Sequence, residues 1–335
     1  SVFKTDFSVG AALGRRHLIG RDTPGLSLVA REFNTITPEN DLKWGVINPA
    51  EGEFNWTAAD AFVDFGEAND MFIVGHALVW HSQLAEYVKT ITEPEGMRRA
   101  LKDHIKAVAG RYRGRIDGWD VVNEALNEDG SYRESIFYQV LGEEYLTLAF
   151  QLAAQAAPEA QLYYNDYNLW NADKRNGAIR MIEKIRAGGG RVDGIGMQAH
   201  YSIVGPSIDT IEQSILAFKQ AGLPIMMTEL DVTVLPNPWD LEGAEVSQNF
   251  ENSPFMNPFP DGLPDSMQLV LANRYADLFG LYRKHADKIE RVTFWGVNDD
   301  HSWLNGWPIK GRTNYPLLFD RSYAKKPAYE AVLSL

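Results

Sequence analysis

Two glutamates, Glu124 and Glu229, are the side chains in this sequence best suited to bond-breaking chemistry. Cleaving an acetal between two sugars needs a proton delivered to the leaving oxygen and a carboxylate that traps or stabilises the oxocarbenium-like centre; two carboxyl groups meet both needs. Each glutamate sits at or near the end of a short apolar run, GWDVVNE and PIMMTELDV, of the kind that forms a buried strand.

Other polar groups collect at the ends of similar runs. Glu39 and Asn40 close one, with Lys43 just beyond, and a second carries His76, Trp80, His81 and Gln83. Asn123 precedes Glu124; Asn165, Asp166 and Tyr167 close a further run, and Gln198 and His200 another. Asp231 follows Glu229, and the last run leads through Trp295 to Trp303. In a strand, alternate residues share a face, so Gln198 with His200, and Glu229 with Asp231, are expected to point into one cleft.

Histidines and carboxylates also suggest metal-assisted hydrolysis, since His76, His81, His200, Asp166 and Asp231 are common ligand types. The spacing argues against it. An odd separation along a strand turns His76 and His81 to opposite sides, and no closely spaced pair of inward histidines appears. No metal and no other cofactor is expected, and His200 reads as a hydrogen-bonded orienter between Glu229 and Asp231.

The elements that must position these groups alternate. Eight runs read as buried parallel strands, at 7–13, 35–40, 72–80, 116–124, 161–167, 194–200, 224–232 and 291–297. Between them helical periodicity covers 57–68, 94–113, 143–157, 172–187, 209–219 and 266–285, with Thr57 and Asp209 as N-caps and the glycines at 188–190 as a stop. Eight such repeats predict an α/β fold, a (β/α)8 TIM barrel forming a single domain over 1–335, whose active site lies at the C-terminal strand ends. Strands four and seven stand across the ring, so Glu124 and Glu229 would flank a chain lying over the barrel mouth. The stretch 235–265 breaks the rhythm: rich in proline, with Trp239, Phe250, Phe255 and Phe259, it reads as a long loop after the seventh strand.

Composition narrows the partners. The 335 residues carry a formal net charge of −13, which repels phosphate backbones and anionic membranes, so neither nucleic acid nor a membrane is an expected partner. The chain holds 9 Trp, 14 Tyr and 16 Phe, enough for a large core and for stacking on a neutral ligand. Without cysteine there is no disulfide and no thiolate chemistry, and the compartment stays open. The start at Ser1 reads as a processed end and favours export, to the extracellular space or the periplasm, over the cytoplasm. A monomer is expected.

The segments FNTITPENDLKW from Phe33, GHALVWHSQ from Gly75, GWDVVNEA from Gly118, YYNDYN from Tyr163, GIGMQAH from Gly194, MTELDV from Met227 and TFWGVNDDHSW from Thr293 resemble the xylanase family, family ten of the glycoside hydrolases. The resemblance covers nearly the whole chain. It implies a retaining endo-β-1,4-xylanase acting on xylan or xylo-oligosaccharides, with Glu124 as acid/base and Glu229 as nucleophile. It further implies that Glu39, Asn40, Lys43 and Gln83 hold the sugar two places from the cleavage point on the non-reducing side. His76, Trp80, Asn123, Gln198 and His200 would surround the sugar being cleaved, with Tyr167 a further contact, Trp295 and Trp303 indole walls, and Asp231 a support behind them. Ala77 stands where the family often has a hydroxyl or amide residue, and the cysteine pair of many members is missing. Rival readings of the same residues are an endoglucanase or mixed-linkage glucanase on this scaffold, and a carbohydrate-binding barrel without activity. A retaining mechanism places the two carboxyl groups about 5 to 5.5 Å apart.

Overall fold

Nine short strands carry the site: β1 (Ser8–Leu13), β2 (Thr35–Pro38), β3 (Phe72–Trp80), β4 (Gly118–Asn123), β5 (Gln161–Asp166), β6 (Gly194–Met197), β7 (His200–Ser202), β8 (Ile225–Thr233) and β9 (Ile289–Phe294). The structure, a computed structural model, describes residues 3–335; Ser1, from which the processed start was read, lies outside them. The pairings between these strands are parallel and run β6-β5-β4-β3-β2-β1-β9-β8, and contact between β6 and β8 closes the ring. Gly10 on β1 pairs with Thr35 on one side and Thr293 on the other, which fixes the seam between the first and last staves. The molecule is the (β/α)8 barrel expected from the alternation of apolar runs.

The sixth stave is broken, where an unbroken run over 194–200 was expected. Ala199 takes a left-handed backbone (φ 66°), so β6 stops at Met197, and β7 resumes at His200 against Asp231 of β8. A positive φ on a non-glycine residue interrupts the pleat. His200 therefore reaches the mouth from a restarted strand rather than by simple alternation from Gln198.

Helices wrap the barrel because each has one apolar stripe to bury. In Pro94–Arg111, proline opens the first turn, where its missing N–H costs nothing, and Met97, Leu101, Ile105 and Val108 face inward at helical spacing. Two expected caps move. Ser207, not Asp209, caps Ile208–Gln220 by accepting from the Thr210 N–H at 3.1 Å, and Trp56–Ala68 starts before Thr57 with Asn55 as its flanking residue. The stop at 188–190 is present: Gly188 ends Ala172–Ala187 and Gly189 takes φ 87°. Short helices at Thr23–Glu32 and Pro327–Leu333 complete the first and last repeats.

The core lies between staves and helices, and includes the fully buried Trp119, Phe62, Phe150, Phe218 and Phe279. Gly75 on β3 makes room for one of them, since a Cβ there would stand 2.2 Å from the Trp119 ring. Among the described residues no helix is long and apolar enough to cross a membrane. The stretch after β8 has no helix or strand until Asp265, as its prolines predict.

Candidate active site

A cleft of about 250 Å³ opens at the C-terminal ends of the strands. It is lined by Glu39, Asn40, Lys43, His76, Trp80, Gln83, Asn123, Glu124, Gln198, His200, Glu229, Trp295 and Trp303, together with Ala244 and Val246 from the long loop. Residues spread over most of the sequence thus meet at one mouth. A second cavity of about 350 Å³, lined by Phe33, Phe279, Phe294 and Phe319 among others, holds none of these candidates.

Glu124 and Glu229 are each only 5% exposed. Glu124 follows β4 with a left-handed backbone (φ 57°), a cost accepted where a side chain must be aimed, and its N–H is held by the Asn165 carbonyl at 2.9 Å. Its carboxylate oxygens accept from Trp80 Nε1 at 2.7 Å and Gln198 Nε2 at 3.0 Å. Glu229 accepts from Asn165 Nδ2 at 2.9 Å on one oxygen and from His200 Nε2 at 3.0 Å on the other. Asn165 Nδ2 also lies 2.9 Å from Asn123 Oδ1, and Gln198 Nε2 lies 3.3 Å from the same oxygen. A chain of amides therefore links the two carboxyl groups.

His200 faces carboxylates on both ring nitrogens, because Nδ1 lies 2.9 Å from Asp231 Oδ1. Ionised carboxylates only accept, so both nitrogens donate and the ring is an imidazolium. Burial opposes that charge, but Asp231 and Glu229 outweigh it and raise His200 to about 10. The effect on the glutamates is opposite in sign. For Glu229, burial favours the neutral acid, yet the His200 hydrogen bond and the charges of His76, His200 and Lys43 hold its carboxyl below the ordinary value. Glu124 is pushed above it, by burial first and then by the charge of Glu229, against the hydrogen bonds from Gln198 and Trp80.

Indoles and lysine shape the rest. Trp303 donates to Asp231 Oδ2 at 2.8 Å and stacks on Trp307 at 4.4 Å. His76 is oriented by Asp120 at 2.8 Å and meets Trp295 edge-on at 5.3 Å. Lys43 donates to Asn40 at 2.9 Å and lies 4.7 Å over the Trp80 ring. The amide nitrogen of Asn123, a residue of the cleft wall, is buried without a partner. No group of three or more His, Asp or Glu side chains among the described residues is arranged to hold a metal ion.

A profile of glycosyl hydrolase family 10 matches residues 1–335. The chain belongs to glycosyl hydrolase family 10. It is 43% identical to an endo-1,4-beta-xylanase A from Xylanibacter ruminicola over 98% of its own length and 90% of that protein. It is 38% identical to a beta-1,4-xylanase from Dictyoglomus thermophilum over 98% of its length and 88% of the relative's. Among solved structures, a family 10 endoxylanase retrieved from a sugarcane soil metagenome superposes with a TM-score of 0.97 at 48% identity, covering 99% of this chain and 98% of that one. Xylanase 10B from Thermotoga petrophila, solved in complex with xylobiose, gives a TM-score of 0.85 at 33% identity over 99% and 96% of the two chains.

Asp231, Tyr167, His81, Asn165 and Asp166, all singled out in the sequence, stand outside the lining of the cleft of this family 10 enzyme. Asp231 lies behind the wall, binding His200 and Trp303. Tyr167, expected as a sugar contact, is not a lining residue: its ring packs under Lys174 with the ammonium 3.6 Å from the centroid, and its hydroxyl accepts from Arg133 at 2.8 Å. His81 also stays out of the cleft, and burial lowers it to about 4.

Sequence reading missed Asn165 as the bridge between Asn123 and Glu229, and Asp120 as the partner of His76. Asn165 lay in view within YYNDYN, but its reach across to β8 is set by barrel closure. The aromatic residues of the long loop do not line the cleft. Trp239 is 96% exposed and Phe255 is exposed too, whereas the small residues Ala244 and Val246 form that wall.

Proposed function

We propose that this family 10 hydrolase is an endo-1,4-β-xylanase that cleaves β-1,4-xylosidic bonds in xylan or xylo-oligosaccharides with net retention. The observation that carries the reading is two buried carboxyl groups in one cleft with different partners: Glu229 meets His200 and is held below its ordinary value, while Glu124 meets Trp80 and Gln198 and is pushed above it by burial and by the charge of Glu229. Two carboxyls pushed apart in this way divide into a nucleophile and an acid.

In the first step a Glu229 oxygen attacks the anomeric carbon, the glycosidic C–O bond breaks, and the leaving oxygen takes the proton from Glu124. In the second, water attacks the same carbon, gives a proton to the Glu124 carboxylate, and the ester bond to Glu229 breaks. Two inversions leave the anomeric configuration unchanged. Asn123, with its free amide donor, binds the 2-hydroxyl of the reacting sugar, where a hydrogen bond strengthens as charge develops. His76, Trp80, Gln198 and His200 hold that sugar, while Glu39, Asn40, Lys43 and Gln83 hold its neighbour on the non-reducing side.

Trp295 and Trp303 crowd the position that a hydroxymethyl group would occupy, which favours xylose over glucose by steric exclusion. The names of the relatives support the substrate class. Proton NMR of a digest of xylohexaose tests the whole: the β-anomer of the new reducing end is expected first, and the α-anomer first would overturn the mechanism. Parallel assays on xylan and carboxymethylcellulose test the substrate, with release of reducing sugar expected from xylan.

A further inference from the structure

The loop after β8 reaches the cleft without a helix or strand of its own, so something else must hold it. Its start is tied by Arg312, which donates to the Pro236 carbonyl at 2.8 Å, and its later part by Phe250, paired with Ile309. Between these points, among the described residues, 237–249 makes one hydrogen-bonded connection to the rest of the chain: Arg133 Nη1 to Glu245 Oε2 at 2.8 Å. Gly243 adds a steric one. At φ 58° its backbone lies so close to Tyr167 and Asn168 that a Cβ would stand 2.3 Å from the Asn168 amide.

The residues on either side of Glu245 are Ala244 and Val246, the two loop residues of the cleft wall. Arg133 is equally well placed at its other end. It lies nine residues after Glu124 on a hairpin that folds back, donating through Nε to the Glu124 carbonyl at 3.0 Å and through Nη2 to Tyr167 at 2.8 Å. Both oxygens of Glu245 are used, since Ser247 donates to the second through its N–H at 3.1 Å and its hydroxyl at 2.9 Å. The pair is largely shielded, with side chains 17% and 15% exposed.

We infer that Glu245 is a positioning residue for the reaction: through Arg133 it fixes the Ala244–Val246 wall of the cleft and balances the positive charge that stands beside Glu124. The inference rests on Glu124 as the acid/base. Burial works against the Glu245 charge, but Arg133 and Ser247 outweigh it and hold the carboxyl down to about 2, so the pair is intact throughout the working range. Glu124 is faced by Glu229 from β8, Lys43 from beyond β2, Asp166 and Tyr167 from β5 and its end, and Arg133. His81 faces the ion pair. Removing the Glu245 carboxylate leaves Arg133 uncompensated, which favours the ionised form of Glu124.

The test is a pH profile of kcat/KM on xylotetraose for E245Q and E245A beside the parent enzyme. E245Q keeps the shape and an oxygen for Arg133 but loses the charge. Its alkaline limb is expected to move to lower pH, with kcat/KM roughly two- to fivefold lower on the alkaline side, as follows when the limb moves by a few tenths of a pH unit, and little change on the acidic side. E245A also frees the wall, so KM rises and the product pattern from long xylan changes, while the melting temperature checks that each variant is folded. An E245Q profile that superimposes on the parent overturns the proposal, as does an E245A enzyme with the parent's KM and products. E124Q run in the same assay separates the underlying reading: full turnover by E124Q would remove Glu124 as the acid, whatever Glu245 does.

Discussion

Nε2 of His200 lies 3.0 Å from Oε2 of Glu229, and Nδ1 of the same ring meets a second carboxylate, Asp231, at 2.9 Å. A positive ring between two negative groups does more than orient: it is the reason why one of two buried glutamates stays ionised. The sign of its effect on stability follows. His200 titrates near 10 in the folded chain against an ordinary value of 6.5, so its contribution is fully present below about 6.5 and is lost as pH rises through about 10. Thermal unfolding of a His200→Asn variant is expected to show a flatter decline of melting temperature across that window than the parent. In the same variant Glu229 loses its cationic partner, so the acidic limb of kcat/KM moves to higher pH. An unmoved acidic limb would count against the pairing.

The two glutamates are expected to fail differently. Replacing Glu229 by Ala removes the nucleophile and nearly all turnover, on any xyloside, while oligosaccharide binding survives. Replacing Glu124 by Ala costs roughly 10²- to 10⁴-fold on xylo-oligosaccharides, whose leaving oxygen needs a proton, and much less in the first step on an aryl xyloside with an acidic phenol. Steady-state and burst kinetics on the two substrate types measure the contrast.

How much of this was legible in the sequence depends on the range of the interaction involved. Glu124 and Glu229 could be found because each ends an apolar run, and a barrel collects strand ends at one mouth. The helices were legible from periodicity, but the cap of Ile208–Gln220 was misplaced from Ser207 to Asp209, because both types favour helix starts and only backbone geometry separates them. The break at Ala199 left no trace, since alanine carries no turn chemistry and its φ of 66° is imposed by its surroundings. Prolines marked 235–265 as irregular without saying where it goes. Its return to the cleft rests on Arg133 and Glu245, 112 positions apart, which no local pattern connects.

Stability at the barrel mouth depends on a buried lysine. Lys326 Nζ donates at 2.8 Å to Asp299 Oδ2 and to the carbonyls of Tyr315 and Leu317, tying the segment after β9 that carries Trp303. Lys326→Met is expected to destabilise the fold by about 3 to 5 kcal/mol near neutral pH, since it strands a buried carboxylate and two carbonyls. The penalty should shrink in mild acid. Burial, opposed by Lys326, already raises Asp299 to about 6, and without the lysine it can take up a proton instead of staying charged. Urea unfolding at two pH values measures the difference.

Asn123 offers the sharpest test of how the cleft acts on the reacting sugar. Its Oδ1 is fixed by Asn165 at 2.9 Å and lies 3.3 Å from Gln198, so the amide cannot turn over without setting two donors against its own NH₂ group. The unpartnered Nδ2 is therefore fixed on the opposite side of the amide, on a residue that lines the cleft beside Glu124. If it serves the 2-hydroxyl in the transition state, Asn123→Ala should lower kcat/KM on an aryl xyloside by roughly 10²-fold, with most of the loss in kcat. On the corresponding 2-deoxy substrate, which has no hydroxyl to bind, the same replacement should cost little. The double-mutant logic then assigns the energy to that one contact. Equal losses on both substrates would mean that Asn123 acts through its neighbours, by holding Asn165 and Gln198 against the two glutamates.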